Sequence, residues 1–376
     1  MNQPTSDVAL TTGSGQRAWT TAISTSAAEL ATEGWDDLVM GHGNHLPPHH
    51  LYTASPWLRR YETFGDWDQC YVAARRGGMV AGGLTTHRVD PATATAKLRV
   101  HDLFPELAIR HDDPLSMVPS RVVGGLMDGR TGILSRPGQS LVERRALIDR
   151  LLHEAECIAM DRGERAVICR CIDGADTLVR SVLRRRGYAE HPGPQHLVLT
   201  RPPGGLDGYI GSFSKRYREM IRREMRKLAD AQVQITVEAL TRELITSVLP
   251  LVSQLHAKHE VDVHGDEARN EFEVLRRIFK HDAMAVVARV GDRPVGFVEL
   301  VLYRGNAWAH QAGFDYEFQG TLPVYFGVLF YGLMDFAEAA GIYRIDYSFG
   351  TEHAKVSRGC ASRPTVRAIR MMPPAA

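Results

Sequence analysis

Apolar positions recur at two periods along the chain, and the switches between these periods outline its elements. AAELATEGWDDLVM, within residues 19–40, has helical spacing, and a second helix follows from Ser55 with Trp57, Leu58, Tyr61 and Phe64 on one face. Pro56 suits the first turn of that helix, where its missing N–H is not needed. CYVAARR and MVAGGLTTHRV read as strands joined by Gly77-Gly78, a hairpin signal. Residues 90–120 are irregular. Next come RVVGGLMDGRTGIL as strand or paired strands, a helix from Ser140 to Gly163, the buried strand RAVICRCI, the helix ADTLVRSVLRRRG and HLVLT as a closing strand.

RPPGGLDGYIGS (201–212), rich in proline and glycine, is predicted as a linker. Beyond it the element order repeats. A basic helix FSKRYREMIRREMRKLADA leads to strand VQITVE, helices ELITSVLPLVSQLHAKH and NEFEVLRRIFK, and strands AMAVVARV, VGFVELVLYR and NAWAHQAGFDY. A helix over 326–340 follows, with Leu329, Phe330, Leu333, Phe336, Ala337 and Ala340 apolar, and Gly341 ends it. In YRIDYSF, Ile345, Tyr347 and Phe349 alternate with polar residues, which predicts a half-buried strand with Asp346 facing solvent. Gly350 then opens a polar turn carrying Glu352, His353, Lys355 and Arg358, and TVRAIRM is the last strand. The pattern predicts an α/β (α+β) chain: a disordered tail over 1–18, a domain over 19–200, the linker 201–212 and a second domain over 213–376, each a mixed sheet flanked by helices.

Composition narrows the partners. The 376 residues are 44% apolar and 24% charged, as in a globular protein, and Lys+Arg (45) nearly balances Asp+Glu (44). Any nucleic-acid footprint must therefore be local. The five cysteines are scattered and lack paired zinc spacing, so a reduced, cytoplasmic protein without a metal is expected. The His-rich GHGNHLPPHH lacks a helical i, i+4 histidine pair, and HAKHEVDVHGDE reads as a helix end running into an exposed loop. No apolar run is long enough to span a membrane.

The segment LFYGLMDFAEAAGIYRIDYSFGTEHAKVSRG resembles the C-terminal signature of Fem-type GNAT-like transferases, with Gly350, Glu352, His353, Lys355, Arg358 and Gly359 in a G-x-E-H-x-K-x-x-R-G turn. Relatives place the lysine directly after the histidine, whereas Ala354 intervenes here. SFSKRYREMIRRE resembles the basic helix opening the second half of such proteins, and the element order of both halves is that of the GNAT fold. The resemblance implies tandem GNAT-like domains that move an aminoacyl group from aminoacyl-tRNA to an amine, with Glu352, His353, Lys355 and Arg358 at a phosphate-bearing donor or acceptor. Ordinary GNAT enzymes use acyl-CoA instead. The acceptor would be a small molecule under assembly or a cell-wall precursor.

Two features bear on the donor. Acyl-CoA enzymes of this fold cradle pyrophosphate on backbone N–H groups of a Gly-rich loop at a helix start. Here FDYEFQGTLPVYFG puts Leu322-Pro323 where a second glycine would stand, and LSRPGQS offers only Gly138 beside Arg136. The helix 214–227 carries Lys215, Arg216, Arg218, Arg222, Arg223, Arg226 and Lys227 against Glu219 and Glu224, so its rows could track a phosphate backbone. The alternative is a solvated helix whose arginines pair with acidic neighbours. Tyr209, Phe213 and Tyr217 could stack on an unpaired acceptor end or belong to the core.

Acyl transfer to an amine requires a base, an oxyanion site and an acid for the leaving group. His310, on NAWAHQAGFDY, is the candidate base, and Glu299 is a carboxylate set in an apolar strand. Tyr316 is the candidate acid, and Tyr325 starts the helix near any oxyanion. Tyr52, Trp57 and Arg59 are the acceptor-binding candidates. The competing functions are an acyl-CoA-dependent N-acyltransferase and a non-catalytic RNA- or protein-binding module.

Overall fold

The computed structural model describes residues 19–40, 50–63, 68–90, 103–104, 118–124, 131–258 and 265–373. The chain forms two compact units, Met1–Pro194 with Pro364–Ala376, and Gln195–Arg363. The expected tail 1–18, the first three histidines of the His-rich segment and residues 259–264 lie outside the described residues.

In the first unit, strand β1 is Thr20–Ser24, followed by helices α1 (Ala27–Thr32), α2 (Trp35–Met40), α3 (His50–Thr53) and α4 (Ser55–Glu62). Strands β2 (Gln69–Arg76) and β3 (Met79–Val89) form the predicted hairpin. Gly77 and Gly78 turn it at φ of 60° and 84°, a conformation that residues with a Cβ resist. Next are β4 (Ser120–Val123), β5 (Ile133–Ser135), α5 (Leu141–Asp161), β6 (Ala166–Asp173), α6 (Thr177–Arg185) and β7 (Ala189–Pro192). Helix α5 starts with a capping box in which Ser140 and Glu143 satisfy each other's backbone N–H groups. Its apolar stripe (Leu147, Ile148, Leu151, Leu152, Ala155) packs on the sheet.

The second unit begins with β8 (His196–Thr200), α7 (Gly205–Gly211), α8 (Lys215–Asp230) and β9 (Gln234–Ala239). It continues with α9 (Arg242–Lys258), α10 (Gly265–Phe279), β10 (Ala283–Val290), β11 (Arg293–Tyr303) and β12 (Asn306–Phe314). Then come α11 (Tyr316–Gln319), α12 (Val324–Leu329), α13 (Met334–Ala339), β13 (Arg344–Asp346), α14 (Glu352–Val356) and β14 (Ala361–Arg363). Strand β15 (Thr365–Met371) returns to the first unit. The sheets run β1-β2-β3-β4-β6-β15-β7, with β5 on β3, and β14-β8-β13-β12-β11-β10-β9.

This order corrects the expected domain limits. HLVLT is not the closing strand of the first sheet, because β8 lies between β13 and β14 in the second. TVRAIRM conversely lies between β6 and β7 in the first sheet. β8 is largely buried and β15 partly so, and both have partners on two sides, as interior strands of either sheet do. Local pattern therefore does not say which sheet takes them. Nor is 201–212 a linker. Gly204 and Gly205 turn the chain at φ of 89° and 58° into α7, and Tyr209 is buried with its hydroxyl donating to Arg358 O at 2.8 Å.

Two other expectations shift. The helix over 326–340 is interrupted by one tight turn, Tyr331–Leu333, between α12 and α13. There the chain is pressed against β9: a Cβ on Gly332 would lie 2.2 Å from Ile235 Cγ2. The strand YRIDYSF shortens to three residues, and Asp346 is buried rather than facing solvent because β13 is interior, with β12 and β8 on either side.

Candidate functional site

Strands β12 and β13 run parallel but pair over only three rows, Asn306 to Trp308 against Arg344 to Asp346. Past Trp308 the β13-side edge of β12 has no strand partner among the described residues. On the opposite side of β12 the pairing with β11 slips between Val298 and Leu300. This bulge re-aims Glu299 beside His310. Glu299 Oε2 lies 3.4 Å from His310 Nδ1; the carboxylate is 2% exposed and the imidazole 16%. Among the described residues Glu299 Oε1, which is buried, has no hydrogen-bond partner. The structure therefore joins two residues named separately from sequence.

The end of β12 is aromatic. Phe314 packs 6.4 Å from Tyr316 and 5.6 Å from Tyr325, centroid to centroid. Burial holds both phenols above the ordinary tyrosine range, and at Tyr325 it outweighs the hydrogen bond with Thr351. Raised phenols stay protonated and can donate. The end of α9 also converges here: Lys258 Nζ sits 3.9 Å from the Tyr316 ring centre, Gln254 Oε1 accepts from Tyr316 N at 3.3 Å, and His256 Nε2 lies 3.4 Å from Gln311 Nε2. Sequence reasoning missed Gln254, Lys258 and Gln311, which gain meaning only when the end of α9 meets β12. Among the described residues no His, Cys, Asp and Glu group is arranged to hold a metal.

The charged turn after β13 is built differently from expectation. Ser348 and Thr351 adopt left-handed φ of 56° and 46°, conformations held by surrounding bonds. Ser348 N donates to Asp346 Oδ1 at 2.8 Å, His196 Nε2 bonds the same carboxylate at 2.9 Å, and Tyr325 and Thr351 share a 2.9 Å hydroxyl bond. Lys355 is buried, and its ammonium donates to Tyr347 O at 2.7 Å and Phe349 O at 2.9 Å. Burial pulls its pKa down to about 8. Arg358 is buried too. It bonds Glu224 at 2.8 and 2.9 Å and Tyr331 Oη at 2.8 Å, and lies 3.7 Å from the Phe326 ring centre. The expected phosphate contacts of Lys355 and Arg358 are thus corrected: both cations are consumed inside the fold. Glu352 and His353 are exposed, and Glu352 accepts from Ser362 at 2.7 Å.

Helix α8 is held by buried Ile221 and Leu228, with Met220 and Met225 partly buried. Each full burial stabilises by about 1.5–3 kcal/mol. Lys215, Arg216, Arg222, Arg223, Arg226 and Lys227 are exposed, and among the described residues none has an ion-pair partner. Arg218 turns inward to Phe213 O at 2.9 Å. Glu224, one of the two acidic residues within 214–227, is committed to Arg358 and Tyr331. Tyr217 is exposed and stacks with Phe213 at 6.2 Å, while Tyr209 is core.

In the first unit, Tyr52 and Trp57 are core residues, 2% and 0% exposed, packed edge to face at 5.1 Å. Arg59 is exposed, and it is Arg60 that lies over the Trp57 ring. The acceptor role expected of the two aromatic rings is therefore not open to them: helical spacing put them inside. At the start of α5, Arg136 donates to Val80 O at 2.8 Å, and Glu143 accepts from Ser140 N at 2.9 Å. A carboxylate already occupies the position where a pyrophosphate cradle would need an anion.

Residues 215–356 match the family model described as an acetyltransferase (GNAT) domain. No curated protein sequence matches the chain. Among solved structures it is similar to FemX at 13% identity and TM-score 0.63, covering 94% of this chain and 97% of that one. A tandem GNAT protein from the clavulanic acid biosynthesis pathway matches at 14% identity and TM-score 0.53, covering 95% and 100%. L-PGS from Bacillus licheniformis matches at 13% and TM-score 0.50, covering 77% and 81%. At such identities the likeness establishes the fold. No helix among the described residues is long and apolar enough to cross a membrane.

Proposed function

We propose that this chain, whose residues 215–356 match an acetyltransferase (GNAT) domain model, is a Fem-like GNAT-fold transferase that makes an amide bond by moving an aminoacyl group from tRNA to an amine. The observation that carries the chemistry is the Glu299–His310 pair at a bulge beside the open edge of β12. An amine placed there donates an N–H to Glu299 Oε1, the buried oxygen without a partner. Its nitrogen attacks the ester carbonyl, the new N–C bond forms, and the amine proton passes to the pair. The oxyanion is met by backbone N–H groups of the β12 edge. As the C–O bond to the terminal ribose breaks, Tyr316 supplies the proton that the leaving oxygen needs.

The choice of donor rests on α8. Six exposed, unpaired cations on one helix favour a polyanion, and the N-terminus of α5 is closed by its own Glu143. The acetyltransferase description of the family model favours acyl-CoA instead. The acceptor is a small molecule or cell-wall precursor bearing an amine.

Binding of bulk uncharged tRNA and of CoA across a salt series separates the donors. With tRNA as donor, affinity falls steeply with salt, and Arg222→Glu with Arg226→Glu flattens the log K against log salt slope by about 2. CoA binding without tRNA affinity assigns the acyl-CoA chemistry. tRNA binding without turnover of any charged tRNA leaves a binding module.

A further inference from the structure

We infer that the second unit carries a phosphate-binding cavity distinct from both the Glu299–His310 site and the α8 face. It is an open cavity of about 750 Å³ where β9 ends and α9 begins, beside the last turn of α10. Arg242, Glu243, Arg276, Arg277, Lys280 and His281 line it. Its lining includes neither Glu299 nor His310 nor any residue of α8. The row through Glu299 runs by Ala285 to Glu238, next to Ala239, so the separation from the catalytic pair is across the sheet: β9 is three strands away from β12.

Its cations are only partly balanced. Arg276 and Arg242 share Glu273, at 2.9 and 3.5 Å. Glu243 accepts from its own backbone N–H and the Thr241 hydroxyl, which hold its carboxyl below the usual range. Arg277 and Lys280 are exposed and have no ion-pair partner among the described residues. Cations in a last helical turn are favoured by the helix dipole alone, and that accounts for Arg276 and Arg277. It does not account for Lys280, whose φ of 52° is left-handed, where glycine or asparagine fits without strain. A strained lysine at the lip of a cationic cavity is explained by what it touches when the cavity is filled. Guanidinium forks beside an ammonium suit a tetrahedral oxyanion with several acceptor oxygens. Phosphate supplies that chemistry, either from a polynucleotide backbone or from a free phosphorylated small molecule. The inference stands independently of the donor proposed above.

The test uses the full chain, with pyrophosphate and bulk tRNA as probes. Lys280→Gly relieves the left-handed strain, so its melting temperature rises while affinity for the occupant falls about tenfold. A lysine that only ends the helix gives the first effect without the second. If the source is a backbone, Arg277→Glu with Lys280→Glu lowers the tRNA salt slope by about 2 with Arg222 and Arg226 intact. If it is a small molecule, that variant loses pyrophosphate binding while its tRNA slope is unchanged. Variants that bind both probes as the wild type does, or a wild type that binds neither, overturn the cavity. A chain that binds pyrophosphate here and no tRNA keeps this inference and removes the tRNA donor.

Discussion

Glu299 has one carboxylate oxygen facing His310 and the other facing no partner, in an interior where unsatisfied polar atoms are destabilising. A group kept at that disadvantage is expected to trade stability for function. Glu299→Leu should therefore raise the unfolding free energy by about 1 kcal/mol in a denaturant titration, while turnover of the correct donor falls at least about 100-fold. A variant that loses stability and keeps turnover would make the carboxylate structural. Lys355 gives a pH signature. Its folded pKa of about 8 lies below the unfolded value of 10.5, so between these values the unfolded chain binds more protons. Stability from this group therefore rises with pH from about 8 to 10.5, by on the order of 3 kcal/mol at most. The neutral amine keeps two N–H donors, enough for the Tyr347 and Phe349 carbonyls. Denaturation of wild type and Lys355→Met across that range should show a stability difference that grows with pH.

Among the elements, α8 and the chain from α12 to α13 explain each other. Glu224 of α8 accepts from the Tyr331 hydroxyl in the turn between α12 and α13, and the next residue, Gly332, lets the interrupted helix lie against Ile235 in β9, the strand that follows α8. Gly332→Ala should cost about 1–3 kcal/mol through overpacking, and Ile235→Ala in the same chain should recover part of that loss in thermal unfolding. The helical periods of α5 and α8 and the β2–β3 hairpin are legible in the sequence because each depends on neighbours within a few residues. The break at Tyr331–Leu333 is not, because Ile235 is almost a hundred residues away. The same limit hid the roles of Lys355 and Arg358. Their spacing suggested a phosphate fork, but their partners Tyr347, Phe349, Tyr331 and Glu224 are set by packing.

For the whole chain, the two units divide at 194/195 and 363/364, so a fragment cut at the proline- and glycine-rich segment should fail. Residues 195–363 expressed alone keep β8, α7 and the buried Tyr209, whereas 213–376 loses all three and carries β15 without its sheet. Two-dimensional NMR should show dispersed amides for the first fragment and collapsed ones for the second. Dispersed amides from 213–376 would contradict the strand exchange.

The sequence by itself determined the α/β class, the repeated order of elements, the basic face of α8, and the presence of Glu299 and His310 within strands and of Tyr316 and Tyr325 at helix starts. These follow from periodicity and residue chemistry, which act over short separations. Only the tertiary structure decided which sheet received β8 and β15, that Glu299 meets His310 across a bulge, and that Asp346, Lys355 and Arg358 face inward. Strand pairing and burial are energies of contact between distant segments, and no local pattern carries them.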